Sequence, residues 1–154
     1  MSGITMNDDF QDLLRLLGRF DVKFLVVGGY AVIRYSEPRF TKDLDLWIEP
    51  TAENAERCFR ALAAFGAPLA GLAPFDFTQE GYIYQMGVPP MRVDILMSLR
   101  SIAFEDAWSR RETSTVDGIE FSVISKQDLI ASKLAAGRPQ DLLDVEALRQ
   151  SPTL

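Results

Sequence analysis

Histidine is absent from the 154 residues. General-base catalysis by an imidazole and metal ligation through one are therefore excluded. Cysteine occurs once, as Cys58. No disulfide can form within the chain, and a reducing compartment is expected. Cys58 lies in an apolar helical stripe, where a packed core thiol is far commoner than a reactive one. No apolar run approaches the roughly 20 residues of a membrane-spanning helix. Residues 1 to 9 lack the basic and apolar regions of a signal peptide. These absences together lead to the expectation of a soluble cytoplasmic protein. Basic residues are outnumbered, with 16 Lys and Arg against 22 Asp and Glu and a formal net charge of -6. That balance argues against a broad basic face for gripping nucleic acid, although Arg34, Arg39 and Lys42 form a local basic patch. The apolar fraction of 47% is ordinary and can fill a core. One domain is expected over residues 1–154, with a core at about 20–124 and a helical segment at about 125–150.

What the chain does contain is organised around residues 25 to 49. The apolar run Leu25-Val26-Val27 ends in Gly28-Gly29. A short helical pattern follows, and beyond Pro38 a second apolar run carries Asp43 and Asp45 at alternate positions. The first run reads as a strand, and the glycines let the backbone turn sharply and approach a ligand closely. The helix after them, from Gly29 to about Ser36, has free N–H groups facing that turn, a natural seat for phosphate. In a strand, residues two apart share a face. Asp43 and Asp45 therefore point the same way, while Leu44, Leu46 and Ile48 point into the core. Two adjacent carboxylates repel unless a cation sits between them, and hard oxygen ligands suit Mg2+. A phosphate cradle beside a carboxylate pair describes a nucleotide site.

Elsewhere, residues 7 to 19 read as a helix capped by Asn7, with Asp8 and Asp9 at its positive end, an apolar stripe of Phe10, Leu13, Leu14 and Leu17, and Gly18 marking its end. Lys23 to Val27 is a short strand buried on both faces. Pro38 keeps Glu37 out of a helix, so residues 36 to 39 form a loop. Asp43 to Glu49 is the second strand. Thr51 caps an amphipathic helix that Gly66 ends. Residues 66 to 81, rich in Gly, Pro and Ala, read as an irregular connection, with a lid as the other possibility. Strands at 82 to 86 and 92 to 97 flank a turn at 87 to 90. A short helix is centred on Trp108. Asp117-Gly118 makes a hairpin turn into a strand at 119 to 124. Ser125 opens a helix in capping-box fashion with Asp128, Gly137 stops it, and a last helix begins at Arg138-Pro139. This mixture of elements predicts a mixed α/β or α+β sheet rather than a doubly wound parallel one.

Asp94 is the third acidic candidate. It shares a strand face with Arg92 and Leu96, opposite Val93, Ile95 and Met97. If that strand lies beside the one carrying Asp43 and Asp45, three carboxylates converge, enough with a triphosphate to hold two Mg2+ ions. If it does not, Asp94 is a surface acid of an edge strand.

Gly28-Gly29, thirteen residues, Asp43-Leu44-Asp45-Leu46 and a later Val93-Asp94 resemble the minimal nucleotidyltransferase superfamily, the DNA polymerase β-like fold. The approach through Arg39-Phe40-Thr41-Lys42 and the stretch from Leu129 through Lys133, Arg138 and Asp141 to Asp144 are similar to the abortive-infection nucleotidyltransferases of type IV toxin–antitoxin systems. The resemblance spans roughly residues 23 to 149. It implies a small mixed sheet flanked by helices, with a C-terminal helical pair. It also implies that Gly28 and Gly29 seat the triphosphate, that Arg39 and Thr41 help bind the nucleotide, and that Asp43, Asp45 and Asp94 bind Mg2+ or Mn2+, with Asp94 helping to activate an acceptor hydroxyl. Lys133 would reach a nucleotide phosphate, as a flexible ammonium suits a point-charge contact; a plain exposed helix lysine is the other reading. Asp141 would hold the last acidic position. As residues of a helix's first turn, Asp141 and Asp144 can equally be there for the helix dipole. Two departures stand out: Gly29 replaces a serine common in the superfamily, and Gln140 replaces a lysine frequent in the toxins.

The activity implied is metal-dependent transfer of a nucleoside monophosphate from an NTP to a hydroxyl on a tRNA end, a partner protein or a small molecule. The chain would be the toxin-type member of a toxin–antitoxin pair, with a cognate partner protein. The alternative is a catalytically silent module of the same fold that binds nucleotide or neutralises a partner.

Overall fold

The computed structural model describes residues 6–36, 43–87 and 92–152. Arg39 and Thr41, both expected at the nucleotide site, and most of the turn expected at 87 to 90 lie outside these residues. The elements in chain order are α1 (Asp8–Arg19), β1 (Phe24–Val27), α2 (Gly28–Tyr35), β2 (Asp43–Ile48), α3 (Ala52–Phe65), a 3-10 turn (Pro74–Thr78), β3 (Ile83–Met86), β4 (Arg92–Leu96), α4 (Phe104–Ser109), β5 (Glu112–Val116), β6 (Ile119–Val123), α5 (Lys126–Ala136) and α6 (Pro139–Gln150). The strands form one sheet in the order β3-β4-β2-β1-β6-β5. β1 runs antiparallel to β2 and parallel to β6, while β2 runs parallel to β4. β3 with β4 and β5 with β6 are antiparallel neighbours. The sheet is mixed and flanked by helices, with α5 and α6 as a C-terminal pair. No helix among the described residues is long and apolar enough to cross a membrane.

Local chemistry accounts for the elements. Asn7 Oδ1 accepts from Phe10 N at 2.9 Å and Thr51 Oγ1 from Asn54 N at 3.3 Å, starting α1 and α3. Helix α1 runs one residue past Gly18, and the chain then turns at Asp21 in the left-handed region (φ 59°). β1 is buried at all four positions, as a strand covered on both faces must be. Leu44, Leu46 and Ile48 are fully buried, so the alternation of β2 sends its leucines to the core and its two aspartates to the other face. The Asp117-Gly118 turn places both residues at positive φ, 50° and 79°, matching the twist of the β5–β6 hairpin.

Three features differ from the sequence expectations or go beyond them. Asp128 does not complete a capping box: Ser125 Oγ caps Asp128 N at 3.1 Å, but the Asp128 carboxylate takes two hydrogen bonds of 3.0 Å from Arg110, tying the end of α4 to α5. The connection at 66 to 81 is anchored. Phe77 is fully buried, its ring 6.0 Å from Phe59 and 5.4 Å from Tyr84. Asn54, 1% exposed, accepts from Lys23 N at 2.7 Å and donates to the carbonyls of Lys23 and Glu49 at 2.9 Å each. It thus clasps the adjacent ends of β1 and β2 with every one of these polar groups satisfied.

Candidate active site

The site is built at the ends of β1, β2 and β4, where the register decides everything. β2 and β4 pair so that Asp45 stands opposite Asp94 and Asp43 opposite Arg92. On the other side, Val27 of β1 stands opposite Asp45. The chain then passes into α2 through Gly28 at φ +67°. A Cβ on Gly28 would run into Asp45 Oδ2 and lie 2.9 Å from Asp45 Cγ. Glycine is needed there twice over, for the left-handed backbone and for the close approach. The N-cap of α2 is Val27, which offers no side-chain acceptor to the first-turn N–H groups, leaving them available to an anion.

Asp45 is the electrostatic centre. Burial, reinforced by the carboxylates of Asp94 and Asp43, pushes its carboxyl up to about 7, against the opposing pull of Lys133 and Arg92. Asp94 is engaged by Arg92, whose Nε reaches Oδ1 at 3.2 Å and whose second nitrogen reaches Oδ2 at 3.3 Å. From the C-terminal pair, Lys133 extends from α5 to Asp144 Oδ2 at 2.9 Å and Asp141 Oδ1 at 3.5 Å. Arg138, at the N-cap of α6, donates to Asp141 Oδ2 from Nε at 2.6 Å and from its backbone N–H at 3.2 Å. These bonds hold the Asp141 carboxyl below the usual carboxylate range.

A cleft of about 420 Å³ collects these groups, lined by Gly28, Asp43, Asp45, Asp94, Lys133 and Asp141. Six sequence-derived candidates therefore face one space. Gly29 is not among the lining residues, and Asp144 is buried, paired with Lys133. Lys133 is not a free surface lysine, because its side chain is 13% exposed between two acids. Arg92 and Arg138 also line the cleft, and neither was given a role at the site from the sequence. The strand alternation that places Arg92 on the Asp94 face was a signal for the first. The second had its place at a helix start within the stretch that resembles the toxin nucleotidyltransferases. Ile83, Leu96 and Leu99 add an apolar wall beside the acids.

Asp43, Asp45 and Asp94 form an all-oxygen donor set suited to a hard cation, and Asp45 is raised by its burial first and then by the charges of Asp94 and Asp43. A divalent cation fits this chemistry. Among the described residues no three such side chains are preassembled into a metal cage.

Comparison with known proteins bears on the family and the fold. A family model described as "Nucleotidyltransferase of unknown function (DUF6036)" matches residues 5–150. No curated protein matches the sequence. Among solved structures, the chain is similar to the lincosamide antibiotic adenylyltransferase LnuA in its lincomycin-bound form (TM-score 0.57, 14% identity, 95% of this chain and 98% of that one). It is also similar to the antibiotic-resistance factor ANT(2'')-Ia (TM-score 0.58, 12% identity, 92% and 79%). A third likeness is to an antigenic nucleotidyltransferase-like protein from Paracoccidioides brasiliensis (TM-score 0.53, 18% identity, 89% and 70%). At these identities the likeness is one of fold.

Proposed function

The chain belongs to the nucleotidyltransferase family whose model spans residues 5–150, and from that premise we propose that it transfers a nucleoside monophosphate from an NTP to an acceptor hydroxyl with a divalent cation. The observation that carries this reading is the Asp45–Asp94 register with Gly28 packed against Asp45, which sets one acid against the turn suited to phosphate and a second beside it on β4. The first-turn N–H groups of α2 receive the triphosphate. Lys133 and Arg138 stand across the cleft as cationic partners for it. Asp43, Asp45 and Asp94 would hold Mg2+ or Mn2+. When bound, the cation lowers the pKa of the acceptor hydroxyl and neutralises charge on the departing pyrophosphate. The acceptor oxygen bonds to the α-phosphorus, the bond from that phosphorus to the bridging oxygen breaks, and the hydroxyl proton passes to Asp94.

The acceptor belongs to one of three classes: a tRNA end, a partner-protein side chain or a small molecule. The net charge of -6 makes RNA the least favoured. The apolar wall of Ile83, Leu96 and Leu99 suits the body of a small hydroxyl compound, the acceptor class we favour. Placement as the toxin-type member of a toxin–antitoxin pair rests on the motif resemblance. Growth arrest on expression, relieved by Asp43→Asn, tests it. Transfer itself is tested with each α-labelled NTP offered to RNA, protein and hydroxylated small molecules, with Asp43→Asn as control. Label appearing on one acceptor class with the wild type alone supports the proposal. Nucleotide binding without transfer to any of them leaves the silent-module reading in its place.

A further inference from the structure

We propose that Arg92 is the resident counter-cation of the acidic triad, occupying Asp94 until a divalent cation displaces it, so that metal entry is a competition with this guanidinium. The inference rests on the metal-site reading above and deepens it to a question of regulation. Arg92 engages both oxygens of Asp94 at once, at 3.2 and 3.3 Å, so neither is wholly free for a metal while the pair stands. The pairing is local: Arg92 and Asp94 sit two residues apart on the same face of β4. Across the ladder Arg92 stands opposite Asp43, so its charge serves the whole triad. Among the described residues lining the cleft, the other cations have acidic partners outside the triad, Lys133 with Asp144 and Asp141 and Arg138 with Asp141. Arg92 can also leave. Its side chain is 35% exposed against 14% for Asp94, and it lines a cleft where a triphosphate would offer pairs of oxygens to the planar guanidinium fork. The arrangement keeps Asp94 paired in the empty enzyme and couples metal binding to arrival of the nucleotide.

The test is Mn2+ binding by the full chain without nucleotide, read by electron paramagnetic resonance of the free ion. Wild type, Arg92→Gln and Arg92→Lys are compared, with circular dichroism verifying that each is folded. Loss of one partly exposed charge pair corresponds to up to about fivefold in affinity, so Arg92→Gln should bind Mn2+ about twofold to fivefold more tightly than wild type. Arg92→Lys, which keeps the charge without the fork, should fall between them. Adding a non-hydrolysable NTP should narrow the gap between wild type and Arg92→Gln. Equal or weaker Mn2+ binding by Arg92→Gln overturns the inference and leaves the metal site standing. No Mn2+ binding by any of the three, with or without nucleotide, overturns the metal site and the inference together.

Discussion

Replacing Asp45 by asparagine should stabilise the metal-free protein, and by an amount that grows with pH. Burial and the neighbouring acids Asp94 and Asp43 raise the Asp45 carboxyl from its ordinary 3.8 to about 7. The fold therefore favours the protonated form, while the unfolded chain ionises near 4. Between those values the native state holds more protons than the unfolded state, so stability falls as pH rises through the window and the whole cost is present above about 7. At 1.36 kcal/mol for each factor of ten, the rise is equivalent to about 4 kcal/mol. Relaxation of the cleft and entry of water reduce the measurable part to about 2 kcal/mol. The asparagine side chain keeps the shape and carries no charge at any pH. The assay is urea unfolding with a chelator present, followed by tryptophan fluorescence from Trp47 and Trp108, at several values between pH 4.5 and 8.5. Wild type and Asp45→Asn should lie close together at the acid end and separate by about 2 kcal/mol or more at the alkaline end. A difference that stays constant across the range, or that favours wild type at pH 8.5, would refute the claim that ionised Asp45 is held against its preference.

Other perturbations address the parts around that carboxylate. Gly28→Ala forces a side chain into the left-handed region and into Asp45. It should cost about 2 kcal/mol or more in urea unfolding and abolish nucleotide binding measured by calorimetry. Lys133→Met strips Asp144, 4% exposed, and Asp141, 3% exposed, of their shared cation. A loss of about 3 kcal/mol is expected, partly recovered by adding Asp144→Leu, and a loss below about 1 kcal/mol would show the pair to be solvated. Phe77→Ala removes the buried ring that pins residues 66 to 81. It should cost about 3 kcal/mol and open that segment to limited proteolysis, whereas an unchanged cleavage pattern would return it to the irregular connection that its composition suggests.

The order of elements was legible because each carries its own signal. Capping side chains at Asn7, Thr51 and Ser125, the Asp-Gly turn and the alternation in β2 act within a few residues of one another, which is the range over which a linear reading works. Phe77 was hidden for the opposite reason. Glycine, proline and alanine dominate residues 66 to 81, and composition says nothing of an aromatic whose partners, Phe59 and Tyr84, lie in the elements on either side. Asn54 was read as one position of an amphipathic helix, yet its function in the fold is to join two strand ends. That requires knowing that Lys23 and Glu49 are neighbours, a fact of sheet order and not of sequence.

The same distinction governs the site. Asp43 and Asp45 could be paired on paper, since two residues on one strand face need no tertiary knowledge. Asp94 could only be assigned conditionally, because its place depended on β4 lying beside β2, and the parallel register with Asp45 opposite Asp94 supplies that condition. The counter-charges are a further step removed. Lys133 reads as either a phosphate contact or an exposed helix lysine, and its partners Asp141 and Asp144 come to it only when α6 packs on α5. Arg138 reads as a helix start until it closes on Asp141. Arg92 had been placed on the Asp94 face and passed over, because an arginine near acids is ordinary on a protein surface. What makes it consequential is the burial of Asp45 beside Asp94 and Asp43, which pushes its carboxyl up to about 7. Where burial forces carboxylates together, any cation within reach becomes part of how that cluster is kept, and a metal that comes to the same place must first contend with it.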